Sequence, residues 1–231
     1  MDKTVDSIIY KDIFIVQPKN GFRFSVDSPL LFRFINKNKI FKNALDIGSG
    51  SGVLSVLLAK QFNIDCIDAV EIDKVMYECL VETIKMNRYE NKIYPHNNDI
   101  FRFKPDRMYD LVICNPPYRN RKKGRICKSD IENQARFDDL MPIDKLFSYV
   151  RGVIKNRGYF YICYDADLFV TPIYLGRKYG LEPKRIQFLH PNEKSSAKIV
   201  FIEFIKDAGV ELKIEPPIFQ NSKEFEMLLK E

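Results

Sequence analysis

At 231 residues the chain can bury one full core but is too short for two large catalytic domains. With 45% hydrophobic and 29% charged residues it is globular in composition, which excludes disorder and collagen-like repeats. The net charge is +6, and the basic run RNRKKGRICK at 119–128 holds six cations and no acid; without it, 31 basic residues face 31 acidic ones.

The N-terminus, MDKTVDSIIYKDIF, has no continuous apolar region of the kind a signal peptide needs. Apolar stretches such as that around 56–59 are far short of the ~18 residues of a membrane span. The expected compartment is therefore the cytosol. Residues 12–17 and 22–26 read as two strands joined by a turn at Pro18-Lys19-Asn20-Gly21. Ser28-Pro29 opens a helix with Leu30, Leu31, Phe34 and Ile35 on one face. Strand patterns follow at 44–47, 65–71, 92–96, 109–114, 158–164, 184–189 and 198–205. Helix patterns lie at 52–61, 73–87, 143–155 and 167–179. Strand and helix in alternation predict an α/β fold, a mostly parallel sheet with helices on both faces. The last two strands are close enough to form an antiparallel hairpin.

Asp46-Ile47-Gly48-Ser49-Gly50-Ser51-Gly52 follows a strand and opens a helix. Glycines there permit a sharp turn and a close approach of ligand to backbone. A dinucleotide fingerprint would need its third glycine at position 53, which is Val53. Asp46 would also repel a pyrophosphate, whereas S-adenosylmethionine carries an ammonium and a sulfonium that a carboxylate attracts. Glu71, at the end of the next strand, is placed to accept from both ribose hydroxyls, with Ile72 beside it. Asp99 follows the third strand and could accept from an adenine amino group while Ile100 packs on the ring.

The fourth strand ends in Asn115-Pro116-Pro117-Tyr118. Neither proline can donate to a sheet, so the pair terminates the strand. That leaves the Asn and the Tyr unexplained. An exocyclic amine on a heteroaromatic ring is a poor nucleophile because its lone pair is delocalised. The Asn115 side-chain oxygen and the Pro116 carbonyl can accept its two hydrogens, on a backbone stiffened by Pro117, and Tyr118 offers a face for stacking. Displacement at a sulfonium methyl then needs alignment more than a strong base.

The five cysteines, Cys66, Cys79, Cys114, Cys127 and Cys163, have no CxxC spacing, and with two histidines they support neither a zinc site nor a disulfide framework. No metal is expected. The basic residues Arg119, Arg121, Lys122, Lys123, Arg125 and Lys128 stand at the mouth of the expected base pocket, where RNA phosphates would run. Arg177, Lys178, Lys184, Arg185, Lys194 and Lys198 could extend that track.

These motifs resemble the class I S-adenosylmethionine-dependent methyltransferases of the (N/D)PP(Y/F) amino-group type, and more closely the YfiC-type tRNA(Val) adenine-N(6) methyltransferases. The likeness includes Arg23-Phe24-Ser25-Val26-Asp27 with Leu30-Leu31, DIGSGSG, AVEID, Asp99, ICNPPY, Gln134-Ala135-Arg136, Lys184-Arg185 and His190-Pro191. It implies a Rossmann-like seven-stranded fold with its last strand antiparallel and an activity on tRNA adenine. It implies that Asp27, Asp46, Gly48, Ser49, Gly50, Gly52, Glu71, Ile72, Asp99, Ile100 and Asn115 hold S-adenosylmethionine, with Arg23 a weaker candidate. It implies too that Asn115, Pro116, Pro117 and Tyr118 hold the adenine. Phe24-Ser25-Val26 departs from the Lys or Gly common in the family just before Asp27. The expected organisation is an N-terminal cap at 1–40, a methyltransferase domain at 41–215 and a peripheral tail at 216–231, with RNA as partner and a monomer favoured. NPPY also suits a glutamine side-chain amide. Protein glutamine methyltransferases usually carry a helical N-terminal docking domain, whereas the 44 residues before Leu45 read as two strands and one helix. No target-recognition domain for duplex DNA is evident, and the intact motifs argue against a silent RNA-binding module.

Overall fold

The computed structural model describes residues 3–8, 12–19, 23–116, 141–222 and 225. Eleven strands, five α-helices and one 3-10 turn (Ala166–Leu168) are arranged in them. In chain order they are β1 (Lys3–Ile8), β2 (Ile13–Pro18), α1 (Asp27–Phe34), β3 (Asn43–Ile47), α2 (Val53–Gln61), β4 (Cys66–Glu71), α3 (Lys74–Met86) and β5 (Ile93–Asn97). There follow β6 (Tyr109–Cys114), α4 (Ile143–Val153), β7 (Ile154–Asp165), α5 (Val170–Lys178), β8 (Leu181–His190), β9 (Ile199–Lys206), β10 (Lys213–Ile214) and β11 (Ile218–Phe219).

Seven strands form the main sheet in the order β5-β4-β3-β6-β7-β9-β8, parallel except for β9, which runs antiparallel to both neighbours. The short β10 and β11 add in parallel to the outer edge of β8. The central strands are apolar because both their faces are covered; every residue of β4 is buried. Alternation along β6 sends Leu111 and Ile113 to one core layer and Val112 and Cys114 to the other. The first layer packs against α1, α2 and α3, and the second against α4 and α5. Helix α2 (VLSVLLAKQ) is buried from Val53 to Ala59, which is why it lacks a polar stripe. Helix α3 is amphipathic, and its N-terminus is capped by Asp73, whose carboxylate accepts from the Met76 N–H at 2.9 Å.

The N-terminal hairpin differs from the expected one. β2 pairs with β1, from Lys3↔Pro18 to Ile8↔Ile13, and residues 23–25 form no strand. The other edge of β2 is taken by α3: Val16 N–H donates to Thr83 Oγ1 at 3.0 Å and Phe14 N–H to Asn87 Oδ1 at 3.0 Å. With both edges of β2 satisfied, no ladder position remains for the 22–26 segment. Phe24 N–H instead donates to the Gln17 side chain at 2.9 Å. The 143–155 helix also stops earlier, at Val153, and β7 starts directly at Ile154. Beyond Pro217 the chain adds β11 to the sheet, and Phe225 is buried in the first core layer.

Candidate active site

Parallel pairing brings the carboxyl ends of β3, β4, β5, β6 and β7 to one edge of the sheet. Ile47 is paired with both Val70 and Cys114, and Cys114 with Ile162. Gly48 and Asn115 are thus the next residues on neighbouring strands, about one strand spacing (~4.8 Å) apart in the ladder direction. Alternation puts Asp46 and Asn115 on the α1–α2 side.

The glycine turn is closed by backbone bonds, Gly48 N–H and Ser49 N–H donating to Val70 O at 2.9 and 3.1 Å. Gly48 and Gly50 have φ of 66° and 54°, in the left-handed region that favours glycine. Glu71 ties the turn to β4: its Oε2 accepts from Gly50 N–H and its Oε1 from Asp73 N–H, both at 2.8 Å. Asp46 is fully buried; its Oδ2 accepts from Ser55 Oγ at 2.6 Å, and its Oδ1 has no partner, nor does Ser49 Oγ.

Burial pushes Asp46 up to about 7, aided by the neighbouring Glu71 charge and opposed by Ser55. Glu71 is raised by burial against the pull of its backbone donors. Asp27 is raised by burial and, to a smaller extent, by Asp165 at the end of β7, while Ser25 Oγ donates to it at 2.6 Å. Partly desolvated carboxylates at the carboxyl edge of the sheet favour a cation over a phosphate. Two orphaned polar oxygens beside them leave hydrogen-bonding capacity for a ligand.

Ile72 is 49% exposed just past Glu71, while Ile100 is buried and Asp99 half-buried. Asp99 Oδ1 accepts from Phe101 N–H at 2.9 Å, closing a turn after β5. Asn115 and Pro116 follow β6 directly. The Asn115 Nδ2 donates to Ser28 Oγ at 2.7 Å and its Oδ1 accepts from Cys163 Sγ at 2.9 Å. Ser28 and Cys163 are contacts that motif reading missed. Ser28 was visible only as a helix start, and Cys163 as one thiol among several.

The chain matches the family model described as the methyltransferase small domain over residues 23–137. The chain belongs to the methyltransferase small-domain family. Among curated proteins it is similar to the tRNA1(Val) (adenine(37)-N6)-methyltransferase of Aliivibrio salmonicida, 28% identical over 87% of this chain and 82% of that protein. The protein of the same name from Flavobacterium psychrophilum is 27% identical over 86% and 85%. Among solved structures, Methanocaldococcus jannaschii Trm5 in complex with adenosine superposes with a TM-score of 0.63 at 17% identity, over 90% of this chain and 56% of that one. This last likeness concerns the fold.

The methyltransferase's remaining expected residues fall in two groups. Pro117, Tyr118, Arg119, Arg121, Lys122, Lys123, Arg125, Lys128, Cys127 and Gln134-Ala135-Arg136 lie outside the described residues, as do Asn20 and Gly21 of the expected turn. The chain re-enters the description at Met141, whose Sδ is 3.9 Å from Cys114 Sγ and whose Cε would lie 3.5 Å from a Cβ at Gly48. Both flanks of the basic run are therefore anchored at the site.

Of the expected extension of the basic track, much is committed inside the protein. Arg177 pairs with Glu182, Lys178 with Asp144, Lys184 with Glu211, and Arg185 with Glu203 and Glu215. Lys184, Arg185 and Lys213 line a cleft of about 790 Å³ at the far end of α1, but acids paired with all three make it a poor anion site. Lys194 and Lys198 lie in and beside the β8–β9 loop, at the same sheet edge as Asn115. Arg23 binds Thr4 and Asp6 of the hairpin. Cys66, Cys79, Cys114 and Cys163 are buried free thiols. Among the described residues no cluster of His, Cys, Asp and Glu suits a metal, and no helix is long and apolar enough to cross a membrane.

Proposed function

We propose that this methyltransferase uses S-adenosylmethionine to methylate the exocyclic N6 amino group of an adenine in tRNA, a valine tRNA being the substrate its relatives' names indicate, and that it works as a monomer in the cytosol. The observation that carries the reading is the placement of Gly48 and Asn115 one residue beyond paired positions of adjacent strands. A donor held on the glycine turn and an amine held by Asn115 share one cleft.

The residues fit the cofactor. Asp46, Glu71 and Asp27 supply the negative field that a ligand with an ammonium and a sulfonium needs, and Ser49 Oγ and Asp46 Oδ1 supply open hydrogen-bonding sites. Glu71 takes the ribose hydroxyls; Ile72, Asp99 and Ile100 take the adenine; Gly48 and Gly50 keep side chains off the path, and Gly52 lets the turn pack closely on Leu80. The N-terminal part, through Asp27 and Ser28, caps this half of the cleft. When bound, the cofactor supplies an electrophilic methyl group.

On the substrate side, the Asn115 side-chain oxygen and the Pro116 carbonyl accept the amine hydrogens and raise electron density on nitrogen. Pro117 stiffens that backbone and Tyr118 stacks on the base. Arg119, Arg121, Lys122, Lys123, Arg125 and Lys128 meet the phosphates that flank a flipped base. Lys194 and Lys198 extend the basic surface along the same edge.

The test is mass spectrometry of nucleosides from total tRNA of cells with and without the protein, coupled to labelled methyl transfer by wild type and Asn115→Ala. Loss of N6-methyladenosine from one tRNA, and loss of transfer by at least about a hundredfold in the variant, is the expected result. Full activity of Asn115→Ala refutes the site.

A further inference from the structure

Two apolar residues flank the place proposed for the cofactor's adenine, and they are held differently. Ile100 is buried, and its turn is closed from within: Phe101 N–H donates to Asp99 Oδ1 at 2.9 Å and Phe103 N–H to the Asp99 carbonyl at 3.0 Å. Ile72 is 49% exposed and stands one residue past the end of β4, outside the ladder that orders the strand. An exposed apolar side chain just beyond a ladder needs some other restraint if it is to keep one position.

Asn97 supplies that restraint. It is the last residue of β5 and pairs with Glu71. Its Nδ2 donates to the Glu71 carbonyl at 2.9 Å and to the Ile72 carbonyl at 3.2 Å. Both partners are backbone carbonyls, which only accept, so the NH2 end of the amide faces them; the reversed amide would set oxygen against two oxygens. One side chain thus ties the last ladder residue of β4 to the first residue beyond it. The Glu71 carbonyl also accepts from Asn98 N–H at 3.1 Å, and the Glu71 carboxylate bridges Gly50 and Asp73, so the segment around Ile72 is fixed on both sides. Asn97 itself is exposed and fills no part of the core, so its truncation leaves the packing intact.

We propose that Asn97 is a positioning residue for the cofactor, its amide holding Ile72 in place as one wall of the adenine site beside the ribose-binding Glu71. The proposal rests on the reading of Glu71, Ile72 and Ile100 given above. A wall fixed before binding need not be ordered by the ligand, which favours affinity without adding a contact.

The experiment is a double-mutant cycle of Asn97→Ala and Ile72→Ala, read as the Kd of S-adenosylmethionine by calorimetric titration, with kcat and KM for methyl transfer to tRNA and Tm measured for each protein. Asn97→Ala is expected to raise the cofactor Kd about fivefold, with kcat at saturating cofactor, KM for tRNA and Tm little changed. In the Ile72→Ala background the same change is expected to raise Kd by less than about twofold, because the wall it steadies is gone. An unchanged Kd in Asn97→Ala, or a rise equally large in both backgrounds, overturns the proposal. Wild-type cofactor affinity in Ile72→Ala refutes instead the placement of the adenine.

Discussion

Asp46 carries the sharpest consequence of burial in the site. Its carboxyl is pushed up to about 7 by desolvation, with Glu71 nearby. An acid whose folded pKa is raised favours the fold when protonated, so ligand-free protein gains stability as pH falls from 8 towards 6. Binding a cation needs the ionised form, so affinity for S-adenosylmethionine should move the opposite way. It should weaken below pH 7, with a slope approaching tenfold per pH unit at most. Calorimetric titration at pH 6, 7 and 8 checks this; in Asp46→Asn both the binding slope and the melting trend should flatten. Gly52 gives a second residue-level prediction. Its φ is 90°, and a Cβ there would lie 2.6 Å from Leu80 Cδ1. Gly52→Ala should cost about 2–3 kcal/mol, seen as a lower denaturation midpoint. The glycines were legible as a motif because a left-handed turn leaves few residue choices. The Ser28–Asn115 bond was not, because 87 residues separate its ends and only the register of α1 against β6 brings them together.

At the scale of elements, the alternation of strands and helices read well from periodicity, since each central strand is covered on both faces and each surface helix on one. The hairpin did not. The 22–26 segment alternates like a strand, but whether it pairs depends on what already occupies the neighbouring edges. β1 and the Thr83 and Asn87 side chains of α3 occupy both edges of β2, a tertiary fact with no local signature. Arg185 was misplaced for a similar reason: a cation in a sequence looks like surface charge until its partners are known. Here Arg185 and Tyr161 both bind Glu203 Oε2, at 3.0 and 2.7 Å, and join β7, β8 and β9 to the end of α1. Arg185→Ala would leave Glu203, which is 7% exposed, without its cation. The expected loss is about 2–4 kcal/mol in chemical denaturation, largely recovered in Arg185→Ala/Glu203→Gln. The salt dependence of RNA binding should not change in that double variant.

The whole molecule is electrically divided. A decapeptide carries the entire net positive charge, while the carboxyl edge of the sheet carries the buried carboxylates Asp46 and Glu71. The two kinds of charge suit two ligands of opposite sign, a cationic cofactor and a polyanionic RNA. The run enters the chain three residues after Pro116, which with Asn115 directly follows β6. Replacing Lys122, Lys123 and Arg125 together by Ala removes half of the run's cations. If each contacts one phosphate of a single-stranded loop, the slope of log K against log salt should fall in magnitude by about 2, at ~0.7 per contact. Cofactor affinity, measured in parallel, should be unchanged, and methyl transfer should lose through KM with little change in kcat, because these groups bind ground state and transition state alike. An unaltered salt slope would move the RNA path away from this run and towards Lys194 and Lys198, where the corresponding substitutions would then have to flatten it.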